Sequence, residues 1–193
     1  VQSGITGKDL EEALNKEGFT VGHEPDSYEF STVGGWISTN AAGMKKHRYG
    51  NIEDIVQNLT MVTPSGIINQ VKPLTRSSIG IKTQNILFGS EGTLGIITAA
   101  TLKLFPLPKA RATTFAIVPD IKNALSLLNH AQSETGGAVE AFELIPDVFL
   151  ELVKKFAPQY VIPFEKIPEL CVLIEISETS DDKGSINNSN VSP

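Results

Sequence analysis

Residues 25–50, PDSYEFSTVGGWISTNAAGMKKHRYG, restrict what this chain can fold into more than any other stretch. They hold four of its 16 glycines, five hydroxyl residues and its one tryptophan, a mix that neither a plain amphipathic helix nor a plain strand requires. Gly34, Gly35 and Gly43 can take positive φ or let main chain approach a flat ligand, while Ser31, Thr32, Ser38 and Thr39 offer short hydrogen-bond donors. Such a segment can wrap a ligand. It can equally be a structural turn that feeds a buried helix, and the residues by themselves leave both readings open.

The chain around it has 193 residues at 40% hydrophobic content, enough for one good core or two small ones. Net charge is −6 and the cations are scattered apart from Lys45-Lys46-His47-Arg48, which argues against a nucleic-acid surface. That basic run is expected to be a solvated turn. A single cysteine, Cys171, allows no intrachain disulfide and no cysteine-based metal set, and it is expected to fill a small apolar place on a strand. His23, His47 and His130 are too dispersed for zinc. No charged leader with an apolar core opens the chain, and no run reaches the roughly 18 apolar residues of a membrane span. A soluble protein of the cytoplasm or an organelle lumen, with no transmembrane segment, is expected.

Along the chain, Val1 begins without a start residue or a leading strand, so the sequence is expected to start inside a larger domain. Thr6 reads as the N-cap of a short helix with Asp9 in its first turn, an apolar stripe of Leu10, Ala13 and Leu14, and Gly18 as its stop. Residues 55–63 and 67–70 read as a hairpin around Pro64-Ser65-Gly66. Residues 71–83 read as a polar loop. Residues 85–95 form a Gly-rich loop that opens onto a long alternating strand, 96–105. A phosphate loop of the GxxxxGK[ST] type would open onto a helix, and neither that motif nor GxGxxG occurs.

Pro106 and Pro108 mark a boundary. Beyond it a strand over 113–118 is followed by a helix that Asp120 caps, which carries Ile121, Ala124, Leu125, Leu127 and Leu128 and stops at Gly136-Gly137. A strand over 138–145, a helix from Pro146-Asp147 to about Phe156 and a strand over 170–177 complete a β-α-β-α-β order that suits an α+β sheet. Residues 178–193, rich in Ser, Asn and Asp, are expected to be a disordered tail.

Two separated motifs carry a resemblance. Asp26-Ser27-Tyr28-Glu29-Phe30-Ser31-Thr32 with Thr39-Asn40-Ala41-Ala42-Gly43, and Gly89-Ser90-Glu91-Gly92-Thr93-Leu94-Gly95-Ile96-Ile97, resemble the FAD-binding flavoproteins of the vanillyl-alcohol oxidase type. Residues 21–69 look like the alkyldihydroxyacetonephosphate synthase branch, and residues 84–177 like the FAD-linked D-2-hydroxyacid (D-lactate and D-2-hydroxyglutarate) dehydrogenases. The synthase branch places a substrate-phosphate arginine on the strand that here reads Ala141-Phe142-Glu143-Leu144, and that departure favours the dehydrogenase.

The resemblance implies an α+β fold in which residues 1–108 are the later part of an FAD-binding domain and residues 109–177 the start of a substrate cap. It implies FAD as cofactor, held by Pro25, Asp26, Ser27, Tyr28, Glu29, Phe30, Ser31, Thr32, Gly35, Asn40, Ala41, Ala42, Gly43, Glu91, Gly92, Thr93, Leu94, Gly95, Ile96 and Ile97. The small-molecule partner is a 2-hydroxyacid oxidised by hydride transfer to flavin or, in the synthase branch, a glycerone-phosphate ester in a redox-neutral transfer. A third reading is a non-catalytic remnant that cannot retain flavin. The family's pyrophosphate loop would precede residue 1 and its later cap segment would follow residue 177, so this chain alone is expected to hold FAD weakly and to pair with a second copy through apolar surface around Phe30, Trp36 and Leu94. The catalytic base is not among these residues, and no metal is expected.

Individual residues leave alternatives. Glu91 can bond cofactor ring edges or anchor its own loop. Trp36 can stack on adenine, although a lone tryptophan suits a core. His47 beside Lys46 and Arg48 reads as a loop residue rather than a base. Glu53 and Asp54, as neighbours, point apart and do not suit shared acid-base work. Lys103 reads as surface alternation.

Overall fold

The computed structural model describes residues 1–69, 80 and 82–179, in two compact units, Val1–Leu107 and Pro108–Pro193. In the first unit, α1 (Gly7–Lys16) starts where Thr6 Oγ1 accepts from the Asp9 amide at 3.2 Å, and it stops at Gly18, whose φ of +79 only glycine adopts cheaply. β1 (Phe19–Thr20) follows. Then come α2 (Val33–Thr39), α3 (Lys46–Tyr49), α4 (Ile52–Ile55), β2 (Val56–Thr63), β3 (Gly66–Asn69), a single 3-10 turn (Thr83–Ile86), β4 (Ile96–Leu102) and β5 (Phe105–Pro106). β3, β2 and β4 form an antiparallel sheet in that order, and β1 pairs with β5.

One core joins these elements. Val33, Trp36 and Ile37 of α2 pack with Leu10, Val21, Ile52, Val56, Leu59, Met61, Leu87, Ile97 and Ala100. Burial of so many large apolar side chains, at roughly 1.5–3 kcal/mol each, is what holds a seven-residue helix that could not persist alone.

Three expectations change here. Val1 to Ser3 do run as a leading extended segment along β4: the Val1 amine donates to Ala100 O at 2.8 Å and the Ser3 amide to Thr98 O at 3.0 Å. Ile55 belongs to α4, because the Asp54 carboxylate accepts from the Asn51 amide at 3.0 Å and turns the chain into a helical turn before β2. The long strand over 96–105 is two strands. It breaks where the Lys103 amide leaves the ladder for Ile55 O, and Phe105 then pairs with Thr20. The far end of the expected hairpin, Gln70, and most of the expected loop that follows lie outside the described residues.

The second unit is β6 (Ala110–Ile117), α5 (Ile121–Glu134), β7 (Val139–Pro146), α6 (Asp147–Phe156) and β8 (Leu170–Glu178). Its sheet runs β6-β8-β7, antiparallel throughout, with β8 in the middle. Asp120 caps α5 by accepting from the Asn123 amide at 2.7 Å, and that bond holds its carboxyl below the usual range. Gly136 and Gly137, at φ +59 and +84, end it. Val118, Ala124, Val172 and Ile174 form the core, with Leu127 and Phe142 against it. Of the expected apolar stripe on α5, Ile121 and Leu125 face outward, at 61% and 57% exposure. Glu178, expected in the tail, closes β8, and residues 180–193 lie outside the described residues. No helix among the described residues is long and apolar enough to cross a membrane.

Candidate functional site

The first motif is folded around the start of α2. Tyr28, Phe30 and Ser31 amides donate back to Pro25 O, Ser27 O and Ser27 O within 2.9 Å, closing a tight turn. Ser31 Oγ donates to Ser27 O at 2.9 Å and accepts from Trp36 Nε1 at 2.7 Å, and Thr32 Oγ1 caps α2 by accepting from the Gly35 amide at 3.2 Å. Ser31 Oγ, expected to face a ligand, thus donates and accepts inside the chain, whereas Thr32 Oγ1 accepts there and keeps its own hydrogen to donate. Gly34 and Gly35 also depart from expectation: both are helical, and Gly34 is needed because a Cβ there would lie 2.9 Å from the Ser3 Cβ. The left-handed residue of this segment is Asn40, at φ +51, which ends α2 while the Ala41 amide returns to Trp36 O.

The second motif docks on the end of that helix. The Gly89 amide donates to Ile37 O at 3.1 Å and the Glu91 amide to Ser38 O at 3.0 Å, and a Cβ on Gly89 would be 3.5 Å from the Asn40 Cβ. Thr93 Oγ1 donates to Ser90 O at 2.6 Å, so this hydroxyl too is used internally. Glu91 takes φ +45 and Gly92 φ +80, which turns the loop outward. Among the described residues the amides of Ala42, Gly92 and Leu94 have no acceptor, and the Glu91 carboxylate makes no hydrogen bond, so it does not anchor its own loop.

The structure thus brings Asn40 together with the 89–91 turn. Ser31 and Thr32 sit at the other end of α2, about 10 Å away at 1.5 Å per helical residue. Asp26, Ser27, Glu29, Phe30, Ala42, Glu91, Gly92, Thr93, Leu94 and Ile96 are exposed, Tyr28 is half-buried, and Pro25 and Gly43 are buried. Ile97, expected at the cofactor, points into the core because alternation along β4 turns Ile96 outward at 72% exposure. Trp36 is core, at 1% exposure, and so does not form the open apolar surface expected around it.

Sequence reasoning missed two neighbours of Gly43. His23 is 2% exposed, stands edge-on to Trp36 at 5.0 Å, and has no hydrogen-bond partner on either ring nitrogen among the described residues. Burial lowers its pKa to about 4, so it is neutral at physiological pH. Gly43 packs closely on both His23 and Glu24: a Cβ there would sit 3.0 Å from the Glu24 amide nitrogen and 3.1 Å from His23 Nδ1, tighter than side chains ordinarily approach. Lys45, expected in a solvated turn, is buried and paired to Glu24 at 2.6 Å, while His47 is exposed as expected. Only the proximity of Gly43 to this pair, which is a tertiary fact, could have pointed to it.

A surface of outward glycine turns with unpaired main-chain amides suits a phosphate- and carbonyl-rich flat cofactor better than a metal, which would need clustered side-chain ligands. Residues 1–72 match the family described as FAD binding domain. The cofactor of that family is FAD.

The chain is 50% identical over 125 residues to the alkyldihydroxyacetonephosphate synthase of Caenorhabditis elegans, covering 65% of this chain and 21% of that protein. It is 42% identical over 133 residues to the Dictyostelium discoideum synthase, 69% of this chain and 22% of that one. A D-lactate dehydrogenase of Anaerostipes hadrus is 41% identical over 111 residues, 57% and 23% respectively. A solved alkyldihydroxyacetonephosphate synthase superposes with a TM-score of 0.71 at 34% identity, over 92% of this chain and 34% of that one. The fold is accordingly the FAD-binding oxidase fold. The chain spans about a fifth of the length of the curated relatives it matches.

Proposed function

We propose that this chain is part of an FAD-dependent enzyme of the alkyldihydroxyacetonephosphate synthase type. The observation that carries the reading is the 50% identity over 125 residues to a protein of that name, supported by the structural likeness over 92% of the chain. The loops after α2 and before β4 hold the cofactor through main-chain amides at Ala42, Gly92 and Leu94, with Glu91 directed at its polar edge, and residues 109–177 are the start of the substrate cap. FAD, when bound, supplies the electrophilic and redox-active ring. The net transfer exchanges the carboxylate of a glycerone-phosphate ester for a long-chain alcohol, releasing the fatty acid and consuming no external oxidant.

One observation favours a second reading, an FAD-linked oxidation of a D-2-hydroxyacid. β7 carries Phe142 and Glu143 where the synthase branch implies an arginine for the phosphate. The two reactions separate cleanly in the purified, FAD-loaded protein. Formation of alkyldihydroxyacetonephosphate from ester and alcohol without an electron acceptor supports the synthase. D-lactate-dependent reduction of a dye, with no alkyl product, overturns it in favour of the dehydrogenase. Neither activity with flavin absent would leave the non-catalytic remnant.

A further inference from the structure

β7 contains one residue more than its partner between two paired positions. Val139 faces Ile176 and Ala141 faces Glu175, so Glu140 is the extra residue of a β-bulge. Its side chain is fully buried. Ser177 Oγ donates to Glu140 Oε1 at 2.5 Å, and Arg111 Nε lies 3.4 Å from Oε2. A carboxylate at that depth is tolerable only when a cation and donors meet it. What the pairing does to Arg111 is less usual. The arginine is 43% exposed and its Nε is the nitrogen that faces the carboxylate, as an ion pair without a hydrogen bond, since Glu140 Oε2 accepts none; among the described residues its two terminal nitrogens have no acceptor.

A guanidinium drawn by its Nε side toward a buried carboxylate leaves its two terminal nitrogens, which lie side by side in the guanidinium plane, facing away from it, the pair that grips an oxyanion through two parallel bonds. Arg111 stands opposite Ser177 in the β6-β8 ladder, and just before β6 the Lys109 amide donates to Glu178 O at 2.8 Å. Glu175, opposite Thr113 and bonded to its hydroxyl at 3.5 Å, is the acidic group further along that ladder.

We propose that Arg111, oriented by Glu140, binds the anionic group of the substrate in the second unit, a phosphate monoester or a carboxylate. This supplies from β6 the cation that β7 lacks. The identification of the ligand as a substrate rests on the proposed function, whereas anion binding itself can be tested without it.

The probes are inorganic phosphate, followed by 31P line broadening, and 13C-labelled acetate, each added to the whole chain. Saturable broadening is expected in the wild type, loss of it in Arg111→Gln, and roughly threefold weaker binding in Arg111→Lys, which keeps the charge without the fork. Glu140→Gln should weaken binding while circular dichroism stays native. Preference for phosphate over acetate assigns a phosphate ester, and the reverse a hydroxyacid. Equal binding in wild type and folded Arg111→Gln, or no binding of either anion by the wild type, overturns the proposal and leaves the pair as a clamp on the bulge. Should Arg111→Gln fail to fold, Arg111→Lys decides: binding unchanged from the wild type also overturns it. Anion binding that depends on Arg111 in a protein without either activity sinks the proposed function alone.

Discussion

His23 shows how a single residue can be invisible in the sequence and consequential in the fold. Its burial between Trp36 and Gly43 puts its pKa at about 4 in the folded state against 6.5 when unfolded. Above pH 6.5 both states are neutral and the residue contributes no pH dependence. As pH falls from 6.5 to 4 the unfolded chain takes a proton that the folded chain refuses, so stability is lost across that window, by roughly 3 kcal/mol in total. Urea midpoints at pH 7 and pH 4.5 should therefore differ more in the wild type than in His23→Phe; identical differences would contradict the burial argument. At this scale the sequence was read well where one side chain has one local job. Thr6 and Asp120 cap helices, Trp36 is core and Cys171 is buried on β8, all as their types suggest. At Ser31, Thr32 and Thr93 a hydroxyl expected at a ligand also serves its own turn, a second job that the letter does not carry.

Elements bounded by local chemistry were legible, and those bounded by tertiary partners were not. The caps and stops of α1 and α5 need only nearby residues, so their limits could be read directly. α2 is different: its glycines suggested a turn, yet Gly34 and Gly35 lie in a helix capped by Thr32, and Gly34 lacks a side chain because Ser3 packs against it. The break between β4 and β5 likewise depends on Ile55 O, some 48 positions earlier along the chain, roughly a loop-closure away from anything local. The turn before β4 gives a direct test. Gly92 holds φ +80 with nothing within 4 Å of where a Cβ would be, so a valine there strains the backbone without a clash. That strain, about 1–2 kcal/mol, should re-aim the Gly92 and Leu94 amides and lower flavin affinity roughly tenfold or more. Bound-flavin absorbance of purified Gly92→Val checks this, and full occupancy at wild-type affinity would sink it.

At the scale of the molecule, the α+β class, the FAD-binding oxidase fold and the cofactor's identity followed from two motifs far apart in sequence, of which the Asn40 side of the first and the 89–91 turn of the second meet at the end of α2. The choice of chemistry did not follow, since residues 21–69 and 84–177 lean on different branches and the deciding arginine strand carries Phe142 and Glu143. Nor could alternation along one strand reveal Arg111, whose orientation comes from a bulge on another. The central claim is that the 25–43 segment and the 89–96 loop form one surface for FAD. Amide hydrogen exchange of the protein with and without saturating FAD tests it most directly. The account predicts that both segments gain protection together, at the same FAD concentration, with the amides of Ala42, Gly92 and Leu94 among those slowed. Protection of one segment without the other, or of neither while flavin is bound, would contradict it.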